Sequence, residues 1–333
     1  MRSRYVIGAV LLVVLLGSGF VLSQRTPARP ATLERVVIAA NTEYVGTCAI
    51  MAAKHEGYFE DEQLAVTVQP HSTGKSAMQS MLQGRADLAT VAEIPVMLAA
   101  LSGTPVRVVA TLFHTQSDHG IVARRDRGID GPSSLKGRRV GYTQGTSGHF
   151  ALDVFLNRQR QSVSDVTLTS YAPERLADAL ERGEIDAVAS WEPFLSESRE
   201  KLGDMAVSFT SEETYESIYN IIGMQAYLRS RPDTVRRMLR ALMQGSRFCR
   251  ENPDAMRPLL APTAKMNREA VLAAWPAYRF EVDLDQGLLL ALEDRARWAI
   301  RNGIASGQMP NFLDYVYLDG LVAVQPSAVT IIH

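Results

Sequence analysis

From Leu33 onward, short apolar runs alternate with stretches of helical periodicity, the pattern of an α/β sheet. Val36-Val37-Ile38-Ala39-Ala40 is a continuous apolar run, as expected of a strand buried on both faces. The polar loop from Asn41 to Gly46 leads into a helix that ends near Gly57, and Leu64 to Val68 reads as the next strand. After His71-Ser72-Thr73-Gly74 a helix is expected, with Ala77, Met78, Met81 and Leu82 on one face and Gly84 as its stop. Asp87 to Ala92, Val106 to Leu112 and Gly120 to Ala123 read as further strands. Beyond Gly131-Pro132 the pattern restarts, with a strand at Arg139 to Tyr142 and a helix from Ser147. Later strands are expected at Val166 to Ser170, Ile185 to Ala189 and Ala206 to Phe209. Past Tyr219 to Met224 the chain reads as almost wholly helical. Pro232 starts one helix, whose buried stripe is Val235, Met238, Leu239, Leu242 and Met243, and Leu288 to Ile300 forms another, closed by Gly303. Such a tail needs a surface to cover, most simply the first lobe.

One unit occurs twice. Met81-Leu82-Gln83-Gly84-Arg85-Ala86-Asp87-Leu88-Ala89 matches Leu180-Glu181-Arg182-Gly183-Glu184-Ile185-Asp186-Ala187-Val188 after a one-residue offset, as helix, Gly-x-x-Asp and strand. A glutamate follows nine residues past each glycine, Glu93 and Glu192. A unit present only twice is not a solenoid. It predicts two lobes built on one plan.

Composition narrows the function. The 333 residues suggest about two domains at ~150 residues each. The chain is 46% hydrophobic and 21% charged, so its body is globular. Lys plus Arg number 35 against 36 acids, a net charge of −1, which argues against a nucleic-acid binder needing a basic face. Cys48 and Cys249 are too few for a disulfide framework or a four-cysteine zinc site. A single bridge between them stays open, because sequence does not give the distance to be spanned. No pair of histidines has helical metal-ligand spacing, so no metal site and no cofactor are expected.

The N-terminus adds a location. Met1-Arg2-Ser3-Arg4 is followed by an uncharged run from Tyr5 to Gln24, centred on Val10 to Leu16. A basic head before such a run reads as a signal peptide or signal-anchor at 1–24, with a linker at 25–34. The body is therefore expected outside the inner membrane.

The chain resembles the periplasmic solute-binding proteins of ABC importers for nitrate, sulfonates, taurine and thiamin-precursor pyrimidines. The resemblance rests on Ala52-Ala53-Lys54-His55-Glu56-Gly57-Tyr58-Phe59, the Gly84-x-x-Asp87 turn, Leu135-Lys136-Gly137-Arg138-Arg139-Val140-Gly141, Gly145-Thr146-Ser147-Gly148-His149, and Gly183-x-x-Asp186 through Ser190-Trp191-Glu192-Pro193. The resemblance extends over roughly Val36 to Pro253. The resemblance implies an α/β, two-lobed type II periplasmic binding protein fold with a central cleft and a helical C-terminal extension on lobe one. Lobe one is then expected at 35–122 and 222–333 and lobe two at 123–221, with crossovers near His119 to Arg125 and Tyr219 to Met224. Two departures stand out: Gln63-Leu64 where the family usually has Gly-Leu, and Arg158, Arg160 and two glutamines after Phe155 where a Gly-Leu turn is common.

In open α/β sheets ligands bind at the carboxyl ends of strands. The turn Gly145-Thr146-Ser147 enters a helix whose free N–H groups and dipole favour an anion, with hydroxyls as further donors; capping by Ser147 is the plainer alternative. His149 follows in the first turn. With His71, His114 and His119 it makes four of six histidines in or near the expected cleft loops, which would suit a pH-sensitive anion site. Trp191 is expected either as an aromatic wall against an apolar part of the ligand or as a core residue. Glu93 and Glu192 would face each other and hold a cationic amine, or else sit in solvent. Asn41, Thr42, Tyr44, Thr73 and Gly74 supply first-lobe polar contacts, whereas Asp87 and Asp186 fix turns. The reading is a non-catalytic, monomeric binding protein that closes on a small organic anion (alkanesulfonate-like, nitrate or taurine) and hands it to an ABC permease. The alternatives are a binder of thiamin-precursor pyrimidine or another amine, a biosynthetic enzyme on the same fold, and a membrane-tethered sensor.

Overall fold

The computed structural model describes residues 33–210, 215–260 and 274–332, so the expected export segment and the linker up to residue 32 lie outside it. Its strands are β1 (Glu34–Asn41), β2 (Leu64–His71), β3 (Leu88–Ala92), β4 (Val106–Thr115), β5 (His119–Arg124), β6 (Arg139–Tyr142), β7 (Thr167–Ser170), β8 (Ala187–Trp191), β9 (Ala206–Thr210), β10 (Ser217–Met224) and β11 (Tyr278–Asp283). One sheet has the order β11-β4-β10-β3-β1-β2 and the other β7-β6-β8-β5-β9. Each sheet joins a parallel part, β3-β1-β2 or β7-β6-β8, to an antiparallel part. The parallel strand β1 buries Val36, Ile38, Ala39 and Ala40, as its unbroken apolar run requires. Among the described residues no helix is long and apolar enough to cross a membrane.

The repeated unit has a physical cause. Gly84 (φ 72°) and Gly183 (φ 69°) end their helices in the left-handed region that glycine adopts freely. In both turns the next N–H reaches back to close the helix, Arg85 to the Ser80 carbonyl and Glu184 to that of Ala179, each at 3.0 Å. The aspartate three residues after the glycine then accepts from the neighbouring parallel strand: Val37 N to Asp87 Oδ2 at 2.7 Å, Arg139 N to Asp186 Oδ2 at 2.9 Å. Both aspartates thus pin a strand edge.

The lobe divisions differ from those expected. β5 pairs with β8 and β9 in the second sheet, so the chain crosses at 116–118 and not within 119–125. β10 pairs with β3 and β4 in the first sheet, so the return lies before Ser217 and not at 219–224. The divisions expected at 122/123 and 221/222 therefore fall inside strands. The C-terminal part is also less helical than its reading, because β11 adds to the edge of the first sheet on β4. Its helices do cover the first sheet's side of the chain. Helix Pro232–Glu251 packs on helix Cys48–His55, and helix Gln286–Arg301 packs on Glu93–Leu101.

Cys48 and Cys249 are joined, with Cα atoms 6.2 Å apart and 201 residues between them in sequence. The crossing is close because Gly245 lies against the Ala49 carbonyl, where a Cβ would come within 2.1 Å of the oxygen.

The two departures from the family pattern fall where the backbone notices them. Gln63 (φ 58°) and Arg160 (φ 56°) are the non-glycine residues with positive φ among those described, and both are exposed. A left-handed conformation costs a side chain roughly 1–2 kcal/mol, partly offset by the greater freedom of glycine when unfolded. Gln63→Gly and Arg160→Gly should therefore each raise stability by about 0.5–1 kcal/mol in urea unfolding. A loss of stability at either position would contradict this account.

Candidate functional site

Between the two sheets lies a cavity with an empty volume of about 430 Å³, lined from both lobes and from the first crossover. Of the residues expected at the cleft, Asn41, Tyr44, Thr73, Gly74, Thr146, Ser147 and Trp191 line it. Each sits just beyond or at the carboxyl end of a strand: Asn41 ends β1, Thr73 and Gly74 follow β2, Thr146 and Ser147 follow β6, and Trp191 ends β8. Trp191 is 8% exposed and meets the Phe194 ring edge-on at 5.4 Å, so it is both wall and packed core.

Helix Ser147–Arg158 points its N-terminus at this cavity. Its N-cap is Thr146, whose side chain makes no capping hydrogen bond and instead donates to the Thr143 carbonyl at 2.7 Å. Ser147 does not cap the helix either. Its Oγ lies 2.9 Å from His119 Nε2. The N–H groups of Ser147 and Gly148 lie before the first bonds of the helix and no side chain caps them, whereas His149 N already donates to the Thr146 carbonyl at 3.1 Å. Thr146 and Ser147 are buried, so this positive helix end is shielded from bulk water.

Ser147 ends a chain of polar groups that starts in the other lobe. The Tyr44 hydroxyl donates to Asp118 Oδ2, Asp118 Oδ1 lies 2.5 Å from His119 Nδ1, and His119 Nε2 meets Ser147. All four residues are buried, and burial holds the Tyr44 phenol well above its ordinary pKa, so it stays a donor. With Nδ1–H turned to Asp118, the Nε2 atom accepts from Ser147, or, when the ring is doubly protonated, donates to it. The second arrangement turns the serine hydroxyl towards the cavity as a donor.

Sequence reading did not single out Asp118, Lys75, Ser217 or Tyr219, all of which line the cavity, and gave His119 only as one cleft-loop histidine. Lys75 Nζ donates to the Gln144 carbonyl at 3.2 Å, and Ser72 Oγ to Glu174 Oε1 at 2.5 Å, so the lobes touch across the cleft. The local signal for Asp118 and His119 is faint, since they become partners only through residues 74 and 28 positions away.

Five expected residues do not line the cavity. Thr42 continues the β1 edge, donating its N–H to the His71 carbonyl. Gly145 (φ 72°) turns the chain into the helix from behind. Glu93 is fully buried. It accepts from the Tyr215 hydroxyl and the Ile218 N–H and pairs with Arg295 Nε at 3.1 Å. Glu192 accepts from Ser196 N at 3.0 Å and pairs with Arg199. The two glutamates therefore do not face each other across the cleft: Glu93 is held by the segment entering β10 and by helix Gln286–Arg301, and Glu192 by the helix that follows its own strand. His149 is wedged between Tyr142 and Trp298, with ring centroids at 4.6 and 5.1 Å, which joins lobe two to helix Gln286–Arg301. Burial lowers its pKa to about 4, so it is neutral at pH 7. His71 lies at the end of β2, and His114 lies outside the cavity lining.

The NMT1/THI5-like family matches residues 46–256, well over half of the chain and both lobes. The chain belongs to that family. A putative aliphatic sulfonates-binding protein of Bacillus subtilis is 25% identical over 227 residues, 67% of this chain and 68% of the relative. The periplasmic aliphatic sulphonate binding protein SsuA of Escherichia coli superposes with a TM-score of 0.72 at 17% identity, covering 86% of this chain and 98% of that one. The alkanesulfonate-binding protein SsuA of Xanthomonas axonopodis, bound to MOPS, gives 0.73 at 18%, covering 87% and 99%. These likenesses establish the two-lobed binding-protein fold. The same fold also carries an enzyme, the desulfurization enzyme DSZB, with a TM-score of 0.61 at 16% identity over 88% of this chain and 99% of that one.

Proposed function

We propose that this NMT1/THI5-like protein is the exported solute-binding component of an ABC importer. It captures a small organic anion of the alkanesulfonate type between its lobes and delivers it to a permease. The observation that carries the reading is the helix end at Thr146 and Ser147, buried, without a side-chain cap, and open to the interlobe cavity. A tetrahedral sulfonate offers three acceptors to such an array of N–H and hydroxyl donors. Among the residues lining the cavity Lys75 is the one lysine or arginine, so recognition rests on the helix end and hydroxyls more than on a salt-bridge clamp. The organic part meets the face of Trp191 and the apolar edge of Ala92 and Pro95. Ligand can shift the lobes towards closure only through contacts it makes in the closed form, and this cavity draws on both lobes at once. Export is supported by the Cys48–Cys249 bridge, since such bonds persist in oxidising compartments, and by the basic-apolar N-terminus.

Thermal unfolding against ethanesulfonate, MOPS, taurine, nitrate and an aminopyrimidine tests the assignment. A sulfonate at ~100 times its dissociation constant should add about 2.7 kcal/mol, and Ser147→Ala should remove most of that gain. A rise with the aminopyrimidine alone would transfer the site to Asp118, the carboxylate that does reach the cavity, and no rise with any compound would end the anion assignment. A second reading has its own observation: Asp118, His119 and Ser147 stand in the hydrogen-bond order of orienting acid, base and nucleophile. Steady hydrolysis of a small ester, abolished by Ser147→Ala, would favour it over simple binding.

A further inference from the structure

Away from the ligand cavity, His114 presents an unusual environment. It lies on β4 just before the first crossover, is 2% exposed, and neither ring nitrogen has a hydrogen-bond partner. A buried imidazole without partners is costly, and such groups call for an explanation. Three carboxylates surround it from other elements. Asp283 at the end of β11 places Oδ1 3.6 Å from Nε2, too long for a hydrogen bond, and that oxygen is itself without a partner. Asp285 follows two residues later. Its Oδ1 caps helix Gln286–Arg301 by accepting from Leu288 N at 2.9 Å, which leaves its other oxygen for a ligand. One donor atom from each of His114, Asp283 and Asp285 falls within 4.8 Å of the others. On the far side of the ring, Glu216 Oε2 stands 3.8 Å from Nδ1.

We propose that His114, Asp283 and Asp285 form a binding site for a first-row divalent cation such as Zn²⁺, with Glu216 as the acceptor that orients the imidazole. One nitrogen and two carboxylates, with room for water to complete the shell, suit Zn²⁺ or Mn²⁺ better than the all-oxygen preference of Mg²⁺ or Ca²⁺. A single ion set to one side of the line between them, about 2.0–2.1 Å from each, would satisfy the orphaned Nε2 and Asp283 Oδ1 together. Glu216 would fix the tautomer that turns Nε2 towards the metal, the arrangement that most metal-bound histidines adopt. The nearby cation Arg279 is paired with Glu281 at 3.3 Å, so it does not neutralise the cluster by itself. The site ties the end of β4, the end of β11 and the start of helix Gln286–Arg301 together beside both crossovers. An ion there would stiffen the base of the hinge without entering the ligand cavity. No sequence spacing announces it, because its residues are 114, 283 and 285 and meet only through the pairing of β11 with β4.

The rival explanation is metal-free. Burial alone would lower the His114 pKa, but Asp283 and Glu216 more than offset it and raise it to about 9, an imidazolium held between carboxylates. Equilibrium dialysis of the chelator-stripped protein against Zn²⁺, with metal counted per chain, separates the two. The expected result is one equivalent bound, with affinity at least tenfold weaker in Asp283→Asn and Asp285→Asn and roughly 10–100-fold weaker in Glu216→Gln. Asparagine at 285 keeps the capping oxygen, so that variant should fold even if a change at His114 does not. Zn²⁺ held no more tightly by the wild type than by the asparagine variants would overturn the proposal and leave the imidazolium cluster in its place. Either outcome is independent of sulfonate binding, which is measured in the other cavity.

Discussion

Removing the Cys48–Cys249 bridge should lower stability by about 5 kcal/mol, the chain-entropy value for a closed loop of about 200 residues. The bond joins helix Cys48–His55 to helix Pro232–Glu251, and so ties the first residues of lobe one to its C-terminal extension. Both sulfurs belong to fully buried residues, and Gly245 brings the two backbones into direct contact a turn away. The double variant Cys48→Ala, Cys249→Ala keeps that packing apart from two small voids, so most of the loss would come from the freed unfolded chain. For a protein of this size the midpoint should fall by roughly 10 °C in calorimetry. The oxidised wild type treated with reductant should fall equally far once the bond opens. A double variant melting within about 2 °C of the wild type would mean that helix packing alone holds the extension in place.

Glu93→Ala should cost about 3–5 kcal/mol in urea unfolding, because it leaves the Arg295 guanidinium buried without its counter-ion. The pair sits at a junction. Arg295 donates to the Glu216 carbonyl at 2.7 Å and lies over the rings of Phe150 and Tyr215 at 5.4 and 5.2 Å, while Glu93 holds Tyr215 and Ile218 N. One ion pair therefore binds helix Glu93–Leu101, the return crossover and a lobe-two phenylalanine. Arg295→Met alone should also destabilise, and the double variant Glu93→Leu, Arg295→Met should recover much of the combined loss, since two apolar groups have no charge to satisfy. Singles costing under 1 kcal/mol, or a strictly additive double, would show that the pair is solvated.

Both glutamates that the repeat brought forward teach the same lesson. The repeat itself was legible, because a helix stop, a glycine and a strand-pinning aspartate are local devices with fixed spacing, and Asp87 and Asp186 act as that spacing implies. The role of the glutamate nine residues on was not legible. Glu93 and Glu192 are each claimed by partners from later in the chain, Arg295, Tyr215 or Arg199. Asp118 and His119 were hidden for the same reason, as their contacts come from Tyr44 and Ser147 and no motif links them. β11 is different. Tyr278, Phe280 and Val282 alternate with Arg279, Glu281 and Asp283, and the buried and exposed faces follow that alternation. The period-two signal is present, but six residues between helical stretches are too short for it to stand out from the helical pattern around them. β10 reads as a crossover because Asn220 and Gly223, both turn formers, interrupt its apolar run. Pairing on both edges buries nearly all of it.

The most direct test of the anion site is a crystal structure of the protein grown with ethanesulfonate. The sulfonate oxygens should lie ~2.7–3.2 Å from Ser147 Oγ and from the first free N–H groups of helix Ser147–Arg158, with the ethyl group against Trp191. A sulfonate held by Lys75 with the helix end still facing water, or one bound outside the interlobe cavity, would contradict the account.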